Sequence, residues 1–153
     1  MKRLVLDASV AVKWFHEEEY TPEALMLREA NDRGLCEFLS PVLIVYEFSN
    51  ALKKPPNLFS EKEVTDAMNS VFSRLTEIVT PNQMDIDEVI KTAFKYNITA
   101  YDASYVALAT DRKTVMVTGD KWLASKVKNE RIAIFLGSGN YKEFIQQIIK
   151  AGQ

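Results

Sequence analysis

The side chains of this chain that could do chemistry are carboxylates. His16 is the single histidine, so a two-histidine metal site is impossible, and beside Glu17, Glu18 and Glu19 it reads as part of a solvated loop. A serine–histidine–acid triad would have to use His16, and no nucleophile elbow accompanies it. Cys36, the single cysteine, allows no intramolecular disulfide and reads as a small buried hydrophobe in a strand. There is no G-x-x-x-x-G-K-[ST] loop and no G-x-G-x-x-G; Gly137-Ser138-Gly139 reads as a turn.

Four acids stand apart by their setting. Asp7 closes the apolar run Leu4-Val5-Leu6 and precedes the small residues Ala8-Ser9 and the stretch Val10 to Phe15. That reads as a buried strand delivering a hard anionic oxygen ligand to its carboxyl end, where parallel sheets bind ligands. Glu47 lies in Val42-Leu43-Ile44-Val45-Tyr46-Glu47-Phe48, mid-helix, where it cannot cap, and a carboxylate in so apolar a helix is costly to bury unpaired. A solvated stripe with Asn50 and Lys54 is its alternative, interrupted by Leu43. Asp102 is the one charge in Tyr101-Asp102-Ala103-Ser104-Tyr105-Val106-Ala107-Leu108-Ala109, and Asp120 follows Val115-Met116-Val117-Thr118-Gly119. For Asp7, Asp102 and Asp120 the competing role is that of a helix cap or first-turn acid. Each is a fair reading alone; together the four make a joint pattern.

The elements that would position these acids alternate. Strands are expected at 4–6, 35–39, 77–80, 113–118 and 132–136. Helices are expected from Thr21-Pro22 to about Arg33 with Gly34 as the stop, from Ser40-Pro41 over 42–53, and from the Ser60-x-x-Glu63 capping box to Leu75. Further helices are expected over 85–97, 101–110, 120–128 and 140–151. Such alternation predicts an α/β fold, a three-layer α/β/α arrangement around a central parallel sheet of four to five strands. At 153 residues one domain, 1–153, is expected, and no internal repeat is seen. Hydrophobic residues make up 47% and charged residues 26%, normal for a globular protein. A net charge of -2 argues against a protein that coats nucleic acid, but leaves room for a nuclease with a local basic rim. No signal peptide is apparent, and no apolar run reaches the roughly 18 residues that span a bilayer. A cytoplasmic protein without membrane association is expected.

In order and setting, these four acids resemble those of the PIN-domain family, most closely its VapC-type toxin ribonucleases. The family pattern is an acid after the first strand, Glu in a helix after the second, Asp opening a later helix and Asp after the fourth strand. Asp7, Glu47, Asp102 and Asp120 match it, and the resemblance runs over nearly the whole chain. Thr118 matches a hydroxyl position that accompanies the fourth acid, and Ser9 and Asn50 are secondary polar candidates. The resemblance implies a PIN-like fold and an endoribonuclease that uses Mg²⁺ or Mn²⁺, cations that favour oxygen ligands. It also implies an RNA substrate, a homodimer and a VapB-like antitoxin. The helices around Tyr20 to Arg33 and Val42 to Phe72 carry many apolar residues, which points to a dimer as well. Lys53, Lys54, Lys121, Arg112, Lys113 and Arg131 are candidates for a phosphate-contacting rim. Trp122 is a candidate for base stacking, against the commoner role of a core residue. A stand-alone PIN nuclease of RNA processing is the alternative within the enzyme class, and a non-catalytic RNA-binding or assembly module the alternative outside it. A haloacid-dehalogenase-like phosphatase would need a second Asp where Ser9 stands.

Overall fold

The computed structural model describes residues 1–83 and 85–153. Five strands, β1 (Lys2–Leu6), β2 (Cys36–Pro41), β3 (Leu75–Val79), β4 (Val115–Thr118) and β5 (Ala133–Phe135), form one sheet in the order β3-β2-β1-β4-β5. Every pairing is parallel, with Leu4 opposite Phe38 on one side and Val5 opposite Met116 on the other. Leu4, Val5 and Leu6 are all fully buried, although successive side chains point to opposite faces. That is why β1 reads as a continuous apolar run: helices cover both faces.

The helices among the described residues are α1 (Ala8–Val12), α2 (Thr21–Asp32), α3 (Leu43–Lys53), α4 (Glu61–Phe72), α5 (Ile86–Tyr96), α6 (Ala100–Asp111), α7 (Lys121–Val127) and α8 (Tyr141–Ala151). One core joins Leu4, Leu6, Phe38 and Val117 of the sheet to Leu27 of α2, Phe48 and Leu52 of α3, Val71 of α4 and Ile145 of α8. The other joins Val5, Leu39 and Met116 to Val89 of α5, Val106 and Ala109 of α6 and Leu123 of α7. The fold is therefore the expected three-layer α/β/α arrangement, with five strands.

The chain lays β2 and β3 on one side of β1, crosses through α5 and α6, and lays β4 and β5 on the other. The winding thus reverses between β1 and β4, and the crevice beyond their carboxyl ends is where such folds bind ligands. Asp7 and Asp120 sit at the two lips of that reversal.

Several local readings need correction. Ser40-Pro41 does not open a helix but closes β2, with Ser40 Oγ donating to Leu6 O at 2.9 Å. The buried hydroxyl found a carbonyl on β1 instead of a helix N–H, and α3 begins at Leu43 with no side-chain cap. Thr21 is the first residue of α2, not its cap; Tyr20 takes that position with φ 65°. Helix α4 ends at Phe72, so β3 starts at Leu75 rather than 77. The capping box of Ser60 and Glu63 is present as expected. Many apolar residues of α2 (Ala24, Leu27), α3 (Ile44, Phe48) and α4 (Ala67, Met68) lie in this chain's own core, while Met26, Tyr46 and Phe72 of the same helices are exposed.

Candidate active site

Asp7 occupies the N-cap position of α1 yet makes no capping bond. Its Oδ2 instead accepts from Ser9 Oγ at 2.7 Å and from Thr118 Oγ1 at 2.7 Å. Thr118 Oγ1 in turn accepts from Asp120 N at 3.0 Å, and Ser9 Oγ accepts from Gly119 N at 2.8 Å. Two hydroxyls thus tie the end of β1 to the turn after β4 and fix the carboxylate between them. Ser9 and Thr118, both anticipated from sequence, hold Asp7 in place.

Asp120 does cap α7, its Oδ1 accepting from Leu123 N at 3.0 Å. Asp102 does not cap α6. Thr99 does so, accepting from Asp102 N at 3.1 Å, and the helix accordingly starts at Ala100. Glu47 accepts from the phenol of Tyr105 at 2.7 Å, a link from α6 to α3. All four acids line one cavity of about 640 Å³ at the carboxyl end of the sheet. Ser9, Lys13, Glu18, Asn57, Lys121 and Trp122 line it too.

The electrostatics agree with that placement. Burial pushes the Asp7 carboxyl above the ordinary range; the charge of Asp120 adds to the rise, and the Thr118 and Ser9 hydroxyls oppose it. Burial also raises Glu47, against the Tyr105 hydrogen bond, with Asp7 and Asp102 adding to the rise. Asp102 is raised by burial and then by Asp7 and Asp120, with Thr99 opposing. The Tyr105 phenol is pushed up by burial and by the charges of Asp7 and Glu47, so it remains a donor. Asp7, Glu47 and Asp102 are each raised in part by other carboxylates of the cavity.

Other candidates are not brought here. Asn50 is exposed and is not part of the cavity lining, whereas Asn57 is. Arg112 is held by Glu77 at 2.8 Å, and with Lys113 and Arg131 it precedes β4 or β5, at the amino end of the sheet. Lys53 and Lys54 are at the end of α3 and outside the lining. Only Lys121 of the proposed rim reaches the cavity. Trp122 is not core: it is 51% exposed, with Lys126 Nζ 5.4 Å from its ring centroid.

Sequence reasoning missed Lys13, Glu18, Asn57 and Tyr105. The signal for Lys13 was present: it is the lone charge in Val10 to Phe15, the same feature that singled out Glu47. Tyr105 gave no such signal, since a tyrosine in an apolar helix is ordinary.

Among the described residues no three His, Cys, Asp or Glu side chains are already drawn together as a metal cage. The cavity offers acids on several elements and no histidine or thiolate. That donor set fits a hard cation that keeps several of its own waters, rather than one enclosed by protein.

A family model described as PIN domain matches residues 4–129, and the chain belongs to that family. Among individual proteins, the chain is similar to an exonuclease named VapC9 from Pyrobaculum aerophilum, 33% identical over 86 residues. The match spans 56% of this chain and 64% of that protein, less than two thirds of its length. The crystal structure of PAE2754 from Pyrobaculum aerophilum superposes with a TM-score of 0.66, covering 97% of this chain and 96% of that one at 23% identity, and shares its fold.

Proposed function

We propose that this protein is a metal-dependent endoribonuclease, the toxin of a VapBC-type toxin–antitoxin pair. The observation that carries the reading is the convergence of Asp7, Glu47, Asp102 and Asp120 on one open cavity at the point where the winding of the sheet reverses. Each of these acids would serve as a ligand to Mg²⁺ or Mn²⁺, with Asp7, Asp102 and Asp120 nearest and Glu47 holding the ion directly or through water. The bound ion would polarise the phosphodiester and lower the pKa of an attacking water. The protein's own part is to fix the ligands. Ser9 and Thr118 hold Asp7 by hydrogen bonds that favour its charged form, and Tyr105 does the same for Glu47. The cavity is open, which suits a looped or single-stranded RNA whose backbone is accessible.

The secondary polar contacts of this reading are Ser9 and Thr118, with Asn50 exposed and outside the cavity lining. The partners of this reading are RNA, a VapB-like antitoxin that masks the cavity, and a second copy of the chain. The protein would act in the cytoplasm. No helix among the described residues is long and apolar enough to cross a membrane.

The relative's name says exonuclease, which favours a second reading in which chain ends are the substrate. Incubating the protein with linear and circular forms of structured RNAs in Mg²⁺ or Mn²⁺ separates the two. Cleavage of both forms, stopped by EDTA, is the expected result. Degradation of the linear form alone would assign an exonuclease. No cleavage with RNA still bound would leave the non-catalytic module. A small transcription-factor-like reading frame immediately upstream would distinguish the toxin from a stand-alone processing enzyme.

A further inference from the structure

The wall of the acid cavity contains a buried ammonium. Lys13 is the one basic residue among the described residues that is buried, at 8% exposure. Its Nζ lies 2.8 Å from Glu18 Oε1, on a side chain that is 37% exposed. Its stem passes over the turn that carries Asp120: a Cβ at Gly119 would stand 2.7 Å from Lys13 Cε and 3.1 Å from Ser9 O. Gly119 is thus glycine by close approach, and the space it leaves open is the path of the lysine. Lys13 and Glu18 both line the cavity of the four acids.

A lysine is costly to bury unless paired, and this one has a half-exposed carboxylate partner outside regular secondary structure. Four carboxylates and Glu18 make the cavity repel a phosphate. A divalent cation offsets only part of that charge, so a phosphate that enters gains from a fixed ammonium in the wall. Lysine suits the task as a compact point charge with three donors on a flexible stem.

Resting on the ribonuclease reading, we propose that Lys13 is a phosphate-binding residue of the site. On RNA binding its ammonium exchanges Glu18 for a non-bridging oxygen of a backbone phosphate. No bond is made or broken by the lysine; it donates N–H to the phosphate oxygen and positions the strand over the acids. Glu18 is the resting partner that keeps the ammonium in place while the cavity is empty.

The test compares full-length wild type with Lys13→Met, Lys13→Arg, Glu18→Gln and the double variant Lys13→Met/Glu18→Gln. Cleavage of a single-stranded RNA in Mn²⁺ is followed over a range of KCl, and each melting temperature is recorded. Lys13→Met removes the ammonium from the phosphate, which should lower kcat/KM about tenfold or more and reduce the salt slope by about one. Lys13→Arg should recover part of the rate, and Glu18→Gln should keep the wild-type slope. The double variant leaves no unpaired buried charge, so it carries the same comparison if Lys13→Met does not fold. Unchanged kcat/KM and slope in the charge-deleted variants, with melting temperatures lowered alike by Lys13→Met and Glu18→Gln, would reduce the pair to a structural ion pair and overturn the proposal. Should wild type bind RNA without cutting it, the ribonuclease reading fails, and the slope of binding in Mn²⁺ still decides the role of Lys13. If wild type neither cuts nor binds RNA, both fall.

Discussion

Asp7 stands where an aspartate usually caps a helix, and its carboxylate accepts from two hydroxyls instead. Thr118, on β4, reaches it only because β1 and β4 are neighbours, with Leu6 opposite Val117. A buried carboxylate at 7% exposure, raised in pKa and aimed into a cavity shared with other acids, has little reason to be there for stability. Asp7→Asn keeps the shape and removes the charge. On the proposed ribonuclease function, turnover at saturating Mg²⁺ should fall about 100-fold or more, since a metal's charge stabilisation is worth several kcal/mol, while the circular dichroism spectrum stays that of the folded protein. Near wild-type turnover would remove Asp7 from the site. At this scale the sequence was informative where a charge interrupts an apolar stretch, as at Glu47 and Asp102. It named Asp7 and Thr118 but not the bond between them, which depends on which strand lies next door, and it was ambiguous for Asp120, which both caps α7 and lines the cavity.

At the scale of elements, α3 and α6 come from opposite layers and are bridged by the Tyr105–Glu47 hydrogen bond. That bond favours the charged form of Glu47, which burial and neighbouring acids disfavour. With Asp7, Glu47 and Asp102 all raised, the acid limb of the pH–rate profile should lie above the ordinary carboxylate range, because protonated acids do not hold a cation. Tyr105→Phe removes the opposing bond. Its acid limb should move to higher pH, since the bond that favours the charged Glu47 is gone. A limb unmoved by the substitution would show that the bond does not tune Glu47. Element type was legible along most of the chain, because period and cap signals agree, as at Ser60 and Glu63. Boundaries failed where one string serves two ends. Ser40-Pro41 is a good helix start and an equally good strand end, and the choice was made by a carbonyl on β1 that no local pattern reveals.

At the scale of the whole molecule, apolar surface is left on α5. Ile86, Ile90 and Phe94 recur at four-residue spacing, and Phe94 is 85% exposed. The proposed homodimer would cover this stripe with its counterpart on a second copy. Light scattering at micromolar concentration should give a dimer mass, and Phe94→Asp should give a monomer with an unchanged core; a wild-type monomer would contradict it. The acids also bear on the stability of the whole chain. Asp7, Glu47 and Asp102 bind protons more tightly folded than unfolded, so between the ordinary carboxylate pKa and their raised values the native state holds more protons. Their contribution therefore falls as pH rises through that window, so with no cation bound the ionisation of these acids lowers stability at neutral pH. The measurement that tests the shared metal site most directly is the melting of wild type and Asp102→Asn, each in EDTA and in millimolar Mn²⁺. In EDTA the variant should melt higher by a few degrees, about 1 kcal/mol for a domain of this size. Mn²⁺ at ten times its Kd should stabilise wild type by about 1.4 kcal/mol and the variant by much less. Equal Mn²⁺ shifts in the two proteins would contradict the account and return Asp102 to the role of a first-turn acid.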